Sequence, residues 1–111
     1  LVAECPEGLG NRTFEAWMAG SAPDTILARI QQEFVLGGHK AAAVAAVLKR
    51  ATVHLVSALP GDLVRRCGMV PYPGSQDGLA AALTDALTAT GDRATVLVLP
   101  QGGSVLPLAR A

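Results

Sequence analysis

Three short runs of Gly, Pro and polar residues constrain the fold of this chain more than any other feature of its sequence. Each run follows a strand candidate, and helix-forming sequence follows the first two; the runs cover residues 4–12, 57–62 and 100–104. Strands that alternate with helices favour a parallel sheet, and ligands of such sheets bind at the carboxyl ends of the strands. The sequence therefore predicts that all three loops meet at one rim and offer a binding surface there.

Length, charge and composition narrow the class of protein. A chain of 111 residues is long enough to bury a core, and because half of its residues are apolar but only 4% are aromatic, we expect a core of Ala, Val and Leu. Nine basic residues balance nine acidic ones. No block of like charge offers the field that attracts nucleic acid or an anionic membrane, and the longest apolar run, residues 41–48, is far shorter than the roughly 20 residues of a membrane span. We expect neither partner.

The cysteine content indicates the cellular compartment of the protein, and the start of the chain indicates its domain organisation. Cys5 and Cys67 are too few for a disulfide framework and lack the spacing of metal ligands, which favours reduced thiols in a cytoplasmic protein. Residues 1–3 already have the character of a buried strand, without an initiator Met or a signal-peptide pattern. We interpret residues 1–111 as one α/β domain excised from a longer protein.

Hydrophobic periodicity predicts alternating strands and helices. Strands are predicted at residues 1–3, 52–57 and 94–99, and helices at residues 13–19, 23–34, 40–50, 62–67 and 75–90. Pro71 and Pro73 make residues 69–72 a loop with at most a brief strand. The predicted fold class is α/β, a Rossmann-like three-layer sandwich with a small, mostly parallel sheet of three to four strands.

Three of these elements carry further expectations. The helix at residues 40–50 is apolar nearly all round, so we expect neighbours on more than one side. The run at residues 94–99 is of the kind that is buried on both faces of a sheet. Asp62 is the expected N-cap of the short helix that follows it.

The segment Gly37-Gly38-His39-Lys40 is the sharpest local feature. Two glycines allow a close approach of the backbone to a neighbour, and Lys40 places a cation at the start of a helix. A cation there opposes the helix dipole at a cost of a few tenths to about 1 kcal/mol, so a carboxylate or phosphate is the obvious offsetting contact. The alternative is a lysine that extends its ammonium into solvent from the helix end.

Other segments give weaker signals. Gly8 to Thr13 begins like the dinucleotide fingerprint but has Thr13 in place of the third Gly, which leaves a capped turn or an anion-binding loop as equal alternatives. Gln101 opens a glycine-rich loop that either contacts a ligand or partner or forms a simple turn.

His54, in mid-strand, is expected to be a neutral histidine satisfied by one hydrogen bond. No P-loop, zinc spacing or nucleophile elbow is present, so the catalytic machinery is incomplete.

Three phrases together indicate a family. They are residues 3–10 followed by Thr13, Phe14 and Trp17, then residues 36–41, Leu-Gly-Gly-His-Lys-Ala, and then residues 98–107, Val-Leu-Pro-Gln-Gly-Gly-Ser-Val-Leu-Pro. In this order they resemble the C-terminal domain of the nickel-dependent lactate racemases and their 2-hydroxyacid racemase relatives. The resemblance covers nearly the whole chain.

The resemblance implies a two-domain cytoplasmic enzyme. In that family a nickel-pincer nucleotide, tethered to a lysine, accepts and returns the α-hydrogen of the substrate as a hydride, while histidines deprotonate the hydroxyl group. The tethering lysine, the nickel-binding histidine and the base histidines belong to the N-terminal domain, so the resemblance implies no catalytic residue and no metal ligand in this chain. The partners it implies are that N-terminal domain and a small 2-hydroxy acid.

The resemblance also suggests which residues face the cleft between the domains. Lys40 matches a lysine of the family's C-terminal domain that contacts substrate or cofactor, and Gly37, Gly38, His39 and Gln101 accompany it as candidates. Some members carry an aromatic residue and a glutamine before that lysine, where this chain has Gly38 and His39. The identity of the 2-hydroxy acid therefore stays open.

Two other functions compete with the racemase. One is a free-standing α/β module that binds a small anion at Lys40 and the loop of residues 8–12. The other is a structural interaction domain in which the glycine-rich loops are turns only.

Overall fold

The structure, a computed structural model, describes residues 1–108 and 110. Its α-helices are α1 (Arg12–Gly20), α2 (Pro23–Gln32), α3 (Gly38–Leu48), α4 (Gly61–Arg66) and α5 (Gln76–Thr90), and its strands are β1 (His54–Ser57) and β2 (Val70–Pro73). A short 3-10 helix, Gly102–Ser104, follows α5. The chain is thus an α/β protein. Within the described residues no helix combines the length and the apolar character needed to cross a bilayer.

The sheet is smaller than the sequence predicts. β1 and β2 pair in parallel, with His54 opposite Val70 and Ser57 opposite Pro73. The predicted first strand is reduced to an isolated parallel bridge between Val2 and Val56, flanked by a hydrogen bond of 3.0 Å from the Ala3 amide to the Val56 carbonyl. Two strands and one bridge replace the expected three to four strands in the part of the chain that the structure describes.

The predicted strand at residues 94–99 is wrong. This segment is not paired, and Leu97 and Val98 are 74% and 72% exposed rather than buried on both faces. The outer edge of β2 offers no place for it, because the Val70 amide points inward to the Val53 carbonyl (2.9 Å), so the alternate positions Pro71 and Pro73 face outward and have no N–H to donate. Apolar composition indicates burial only where a second surface covers it.

The helices agree closely with their predicted positions, and β2 is the brief strand allowed for at residues 69–72. Ser75 caps α5 by accepting a hydrogen bond of 3.1 Å from the Gly78 amide, and α5 ends at Gly91 with φ +99°. Asp62 is not the cap of α4, because the helix begins one residue earlier, after Pro60, whose φ of −56° already suits a helix start. Asp62 instead lies in the first turn and accepts a hydrogen bond from Arg65 at 2.9 Å.

α3 is enclosed on one side rather than on several. Ala41 and Ala45 are fully buried, and α3 contacts α1 and α2 on that side. Ala43, Ala46 and Val47 are exposed, because no described element packs on the opposite side of the helix. The expectation of neighbours on more than one side of α3, with the sheet among them, is therefore wrong for the described residues, where α1 and α2 are its main contacts.

The core lies where α1, α2 and α3 meet. Trp17, Met18 and Ile26 are at most 3% exposed and pack with the alanines of α3 and with Cys67. Small alanine side chains allow the three helices to approach closely, as the shortage of aromatic residues predicted. The side chains of consecutive strand residues point to opposite faces of a sheet, so Leu55 and Val56 of β1 serve two different surfaces.

We predict that Gly78→Ala destabilises the protein. Gly78 is buried in the first turn of α5, and a Cβ atom there would overlap the carbonyl oxygen of Pro73 at the end of β2. Because backbone must shift to relieve the overlap, we expect a loss of about 1–3 kcal/mol in the free energy of unfolding, measured by urea denaturation. Gly103→Ala is the control, since its Cβ would meet nothing within 4 Å. Equal urea midpoints for the two variants would contradict the packing argument.

Candidate functional site

The two glycines before α3 are explained by the packing of α3 against α1. Gly37 has φ +91°, and a Cβ atom on it would lie 2.5 Å from Oδ1 of Asn11. A Cβ atom on Gly38 would lie 2.7 Å from the ring of Trp17. Both positions therefore require glycine for a close approach of the backbone, as the sequence suggested, and the neighbour is α1 and the residue before it.

His39 turns back on its own loop. Its Nδ1 accepts a hydrogen bond of 3.2 Å from the Gly37 amide, which fixes Nδ1 as the unprotonated ring nitrogen when that bond is made. Its ring stacks on Phe34, with the centroids 5.6 Å apart. His39 thus satisfies one amide at the start of α3 and orders the loop, and its ring is half-buried.

Lys40 is the exposed residue of the segment. The two salt bridges of the described residues join Lys49 to Asp24 and Arg65 to Asp62, so the ammonium of Lys40 is in neither. Four of the described α-helices carry an acidic residue in their first turn; these residues are Glu15, Asp24, Asp62 and Asp77. α3 carries none and has Lys40 there instead. Among the described α-helices, α3 is therefore the one whose first turn has a basic residue and no acidic residue.

Gln101 lies on a turn separate from this segment. It is exposed, and its carbonyl oxygen accepts a hydrogen bond of 2.9 Å from the Ser104 amide as the short 3-10 helix begins. Five surface cavities of the described residues, with volumes from about 200 to 620 Å³, are each lined by residues other than Gly37, Gly38, His39, Lys40 and Gln101. The predicted site residues thus form one ordered segment and one separate turn.

The loop of residues 4–12 is a capped turn. Gly8 and Gly10 have φ +68° and +75°, conformations that suit glycine, and they tighten the loop before α1. The Asn11 side chain caps α1, because its Oδ1 accepts a hydrogen bond of 2.9 Å from the Phe14 amide. This carboxamide uses an amide that an anion would otherwise bind, which favours the turn over the anion-binding loop.

A groove lies at the carboxyl ends of β1, β2 and the first residues of the chain. The sequence predicted a binding surface at this rim, but only two of its three loops were assigned correctly. This rim groove, of about 490 Å³, is lined by Val2, Glu4, Val56, Ser57, Ala58, Gly74, Ser75, Gln76 and Leu79. The first two predicted rim loops do meet there, since the Ala58 amide donates to the Glu4 carbonyl at 3.0 Å. The third contribution comes from the loop after β2, and residues 100–104 are not part of the lining.

The start of α5 lies on the rim groove. Ser75 satisfies the Gly78 amide, while the amides of Gln76 and Asp77 have no partner within the described residues. Ser57 is the buried polar residue of the groove, and its Oγ accepts a hydrogen bond of 3.3 Å from the Leu59 amide. The glycine before the cap, Gly74, brings the loop close to the Ser57 carbonyl, since its Cβ would lie 3.3 Å from that oxygen.

A network of side-chain hydrogen bonds connects β1, β2 and α5. Tyr72 donates a hydrogen bond of 2.6 Å to Asp85, and His54 Nδ1 lies 3.0 Å from the same hydroxyl oxygen. Because the hydroxyl proton is given to Asp85, Nδ1 of His54 is the donor to Tyr72, and Nε2 is the free acceptor in the neutral ring. The hydrogen bond to Asp85, together with burial and the charge of that carboxylate, raises the pKa of Tyr72. His54 is thus a satisfied histidine, as predicted.

The comparisons with known proteins leave the family open. No family model, curated protein sequence or solved structure matches this chain.

We predict a pH-dependent difference between the wild type and Tyr72→Phe. The pKa of Tyr72 is higher in the folded than in the unfolded chain, so its contribution to stability is complete below the usual value of about 10 and is lost as the pH rises through the folded value. The free energy of unfolding of the wild type should fall more steeply above about pH 10 than that of Tyr72→Phe.

Urea denaturation at several alkaline pH values measures this difference. Burial also raises the pKa of the Cys67 thiol, but this contribution is present in both proteins and cancels in the comparison. Parallel pH profiles for the two proteins would show that the bond between Tyr72 and Asp85 does not form in solution.

Proposed function

We propose that this chain is the C-terminal domain of a cytoplasmic, nickel-pincer-nucleotide-dependent racemase or epimerase of 2-hydroxy acids such as lactate. In this proposal the domain closes a cleft whose chemistry is supplied by an N-terminal domain. The observation that carries the proposal is the start of α3, where an ordered glycine pair presents the exposed ammonium of Lys40 in a helix turn that has no acidic residue.

The electrostatics of this helix start favour an anionic ligand. The first turn of a helix carries a partial positive charge, and an acidic side chain there is stabilising. α3 adds a cation instead, so a substrate carboxylate or a phosphate would relieve the repulsion between the helix dipole and Lys40. A charge-assisted hydrogen bond of this kind contributes about 1.5–3 kcal/mol.

The rigidity of the segment supports a positioning role. Gly37 packs on Asn11, Gly38 packs on the ring of Trp17, and His39 is tied to the Gly37 amide. The guanidinium of Arg29 covers the same tryptophan ring, 4.2 Å from its centroid. The backbone on which Lys40 sits is therefore fixed on one side by α1, while its side chain stays exposed.

The residues present fit a supporting contact to the cofactor rather than the binding of nickel. No cluster of three His, Cys, Asp or Glu side chains occurs within residues 1–108 and 110. One ring nitrogen of each histidine is engaged, His39 with the Gly37 amide and His54 with Tyr72. The nucleotide, when held by the other domain, supplies the hydride chemistry; Lys40 is the residue here that suits its phosphate or the substrate carboxylate.

Exposed apolar surface supports the presence of a partner domain. Leu79, Leu83 and Leu87 lie on one side of α5 and are 38%, 46% and 43% exposed, and the segment 96–99 is also exposed. We propose that these surfaces are covered in the whole enzyme, and that the α/β unit there extends to the three-layer, Rossmann-like arrangement with three to four strands.

We predict that Lys40→Ala in the full-length enzyme lowers kcat/KM. The expected loss of transition-state stabilisation is about 1.5–3 kcal/mol, the range for a lost hydrogen bond to a charged group. Lys40→Arg should restore activity only in part, because a planar guanidinium does not fill the space of a compact ammonium. Steady-state kinetics with D- and L-lactate and with other 2-hydroxy acids measures both effects.

Lys49→Ala is the matched control. Lys49 follows the same helix but pairs with Asp24, so its loss should leave kcat/KM unchanged. Wild-type kinetics in Lys40→Ala, at an unchanged melting temperature, would reduce Lys40 to a solvated helix end and remove the main support for the proposal.

We also predict that the 111-residue chain by itself neither interconverts D- and L-lactate nor binds nickel tightly. The proposal assigns the cofactor lysine and the base histidines to the other domain, and the two histidines here lie on separate elements, α3 and β1. Polarimetry with excess chain and calorimetry with Ni²⁺ test this. Measurable racemisation, or a stoichiometric submicromolar nickel site, would show that the chemistry was assigned to the wrong domain.

A free-standing anion-binding module is the second candidate. The sequence places its site at Lys40 and the loop of residues 8–12, and the rim groove offers it a different position. The amides of Gln76 and Asp77, which have no partner within the described residues, lie in the first turn of the longest helix, and Gln76 lines the groove. The carboxylates of Glu4 and Asp77 oppose an anion there. Titration with inorganic phosphate shows where an anion binds: binding that survives Lys40→Ala favours the rim groove, and binding that is lost favours the start of α3.

A further inference from the structure

This chain exposes more surface than a folded monomer of its mass. Its accessible surface is 8177 Å² for 11.3 kDa, about 2,400 Å² above the roughly 5,700 Å² that monomeric proteins of this mass expose. Its radius of gyration is 14.8 Å, against about 13 Å for a compact domain of this length. Obligate homodimers bury about 2,000–5,000 Å² over both subunits, so the excess of one chain matches the share that one subunit contributes to a large interface.

One edge of the sheet can accept a further strand. The Val56 amide donates to the Leu1 carbonyl at 2.9 Å, and the Ala3 amide donates to the Val56 carbonyl at 3.0 Å. The residue between them, Val2, therefore points its N–H and C=O away from β1, and neither group has a partner within the described residues. We call this outer side of residues 1–3 the free edge. The opposite edge of the sheet is closed by the prolines of β2.

The same chain carries a strand candidate that is not paired. Residues 95–99, Thr-Val-Leu-Val-Leu, are rich in β-branched side chains, contain no charged residue and form no backbone hydrogen bond within the part of the chain that the structure describes. Each of residues 96–99 is at least 42% exposed. The free edge offers hydrogen-bonding groups to a strand, and this segment is a strand-forming sequence that needs them, so the two are complementary.

We propose that two copies of this chain exchange residues 95–99, so that each segment adds a strand to the free edge of the other copy. Only residues 91–93 connect α5 to this segment, and three extended residues span at most about 11 Å. α5 packs on β1 and β2, whereas the free edge lies beyond β1. Short connections of this kind favour exchange between copies over pairing within one chain.

The exchange ends at two copies. A two-fold arrangement uses both free edges and both segments, so the interface is closed. The formal net charge of zero adds no repulsion between the copies. Val2, Val56 and Leu79 line the rim groove beside the free edge, so an added apolar strand gains contacts there. The inference does not rest on the proposed function, since neither Lys40 nor α3 takes part in it.

Sedimentation equilibrium of the 111-residue chain tests the association, and we expect twice the chain mass of 11.3 kDa. The double variant Leu97→Asp/Val98→Asp places a carboxylate on each face of the exchanged strand and should give the monomer mass. Its circular dichroism should stay that of the wild type, because both side chains are more than 70% exposed within one chain. Leu106→Asp/Leu108→Asp is the matched control: it makes the same chemical change at residues that are 82% and 83% exposed, and should leave the dimer intact.

Disulfide cross-linking distinguishes exchange from pairing within one chain. In a Cys5→Ser background, where the remaining Cys67 is buried, Val2→Cys is combined with Leu97→Cys or with Val98→Cys, one of which shares the face of Val2 in the added strand. We expect a covalent dimer on a non-reducing gel from one combination and none from the single variants. A monomeric wild type, equal loss of the dimer in the two aspartate variants, or a cross-link within one chain would each overturn the proposal.

Discussion

The close approach of α3 to α1 is the contact on which the rest of the structure depends. Gly37 and Gly38 leave no room for a side chain against Asn11 and Trp17, so the backbone of one helix start lies directly on the other helix. The same tryptophan is 3% exposed and belongs to the core in which α2 and Cys67 meet. A larger residue at Gly38 would therefore displace Trp17 and, with it, the packing of the three helices. The position of Lys40 follows from this contact, since it lies two residues further along α3.

The predictions from sequence succeed where the signal is local. Ser75 and Gly91 set the ends of α5 through a side-chain cap and a positive φ, and both can be identified within a few residues of sequence. The two glycines at the start of α3 predict a close approach of the backbone, but they do not reveal that its partner is α1. Asp62 shows the limit of local rules, because Pro60 moves the start of α4 by one residue.

The predictions fail where the outcome depends on a distant surface. The run at residues 94–99 has the composition of a buried strand, but its burial requires an open sheet edge, and the prolines of β2 close one such edge. The network of His54, Tyr72 and Asp85 was missed for a related reason: it depends on the register of β1 and β2, which no single residue reveals. The rim groove was located by its first two loops, but its third contribution follows a strand that the sequence marked mainly as a loop.

The exposed leucines of α5 and the exposed Lys40 of α3 have different roles in the proposed enzyme. Burying a large aliphatic side chain contributes about 1.5–3 kcal/mol relative to leaving it exposed, so a partner surface that covers Leu79, Leu83 and Leu87 of α5 could hold two domains together. Such contacts are non-directional and select no ligand. In the proposal Lys40 has the opposite property, because one charge on a fixed backbone adds little to domain association but would attract an anion and orient it. In the proposed enzyme, domain association through α5 and ligand recognition through α3 would therefore fall on two separate helices.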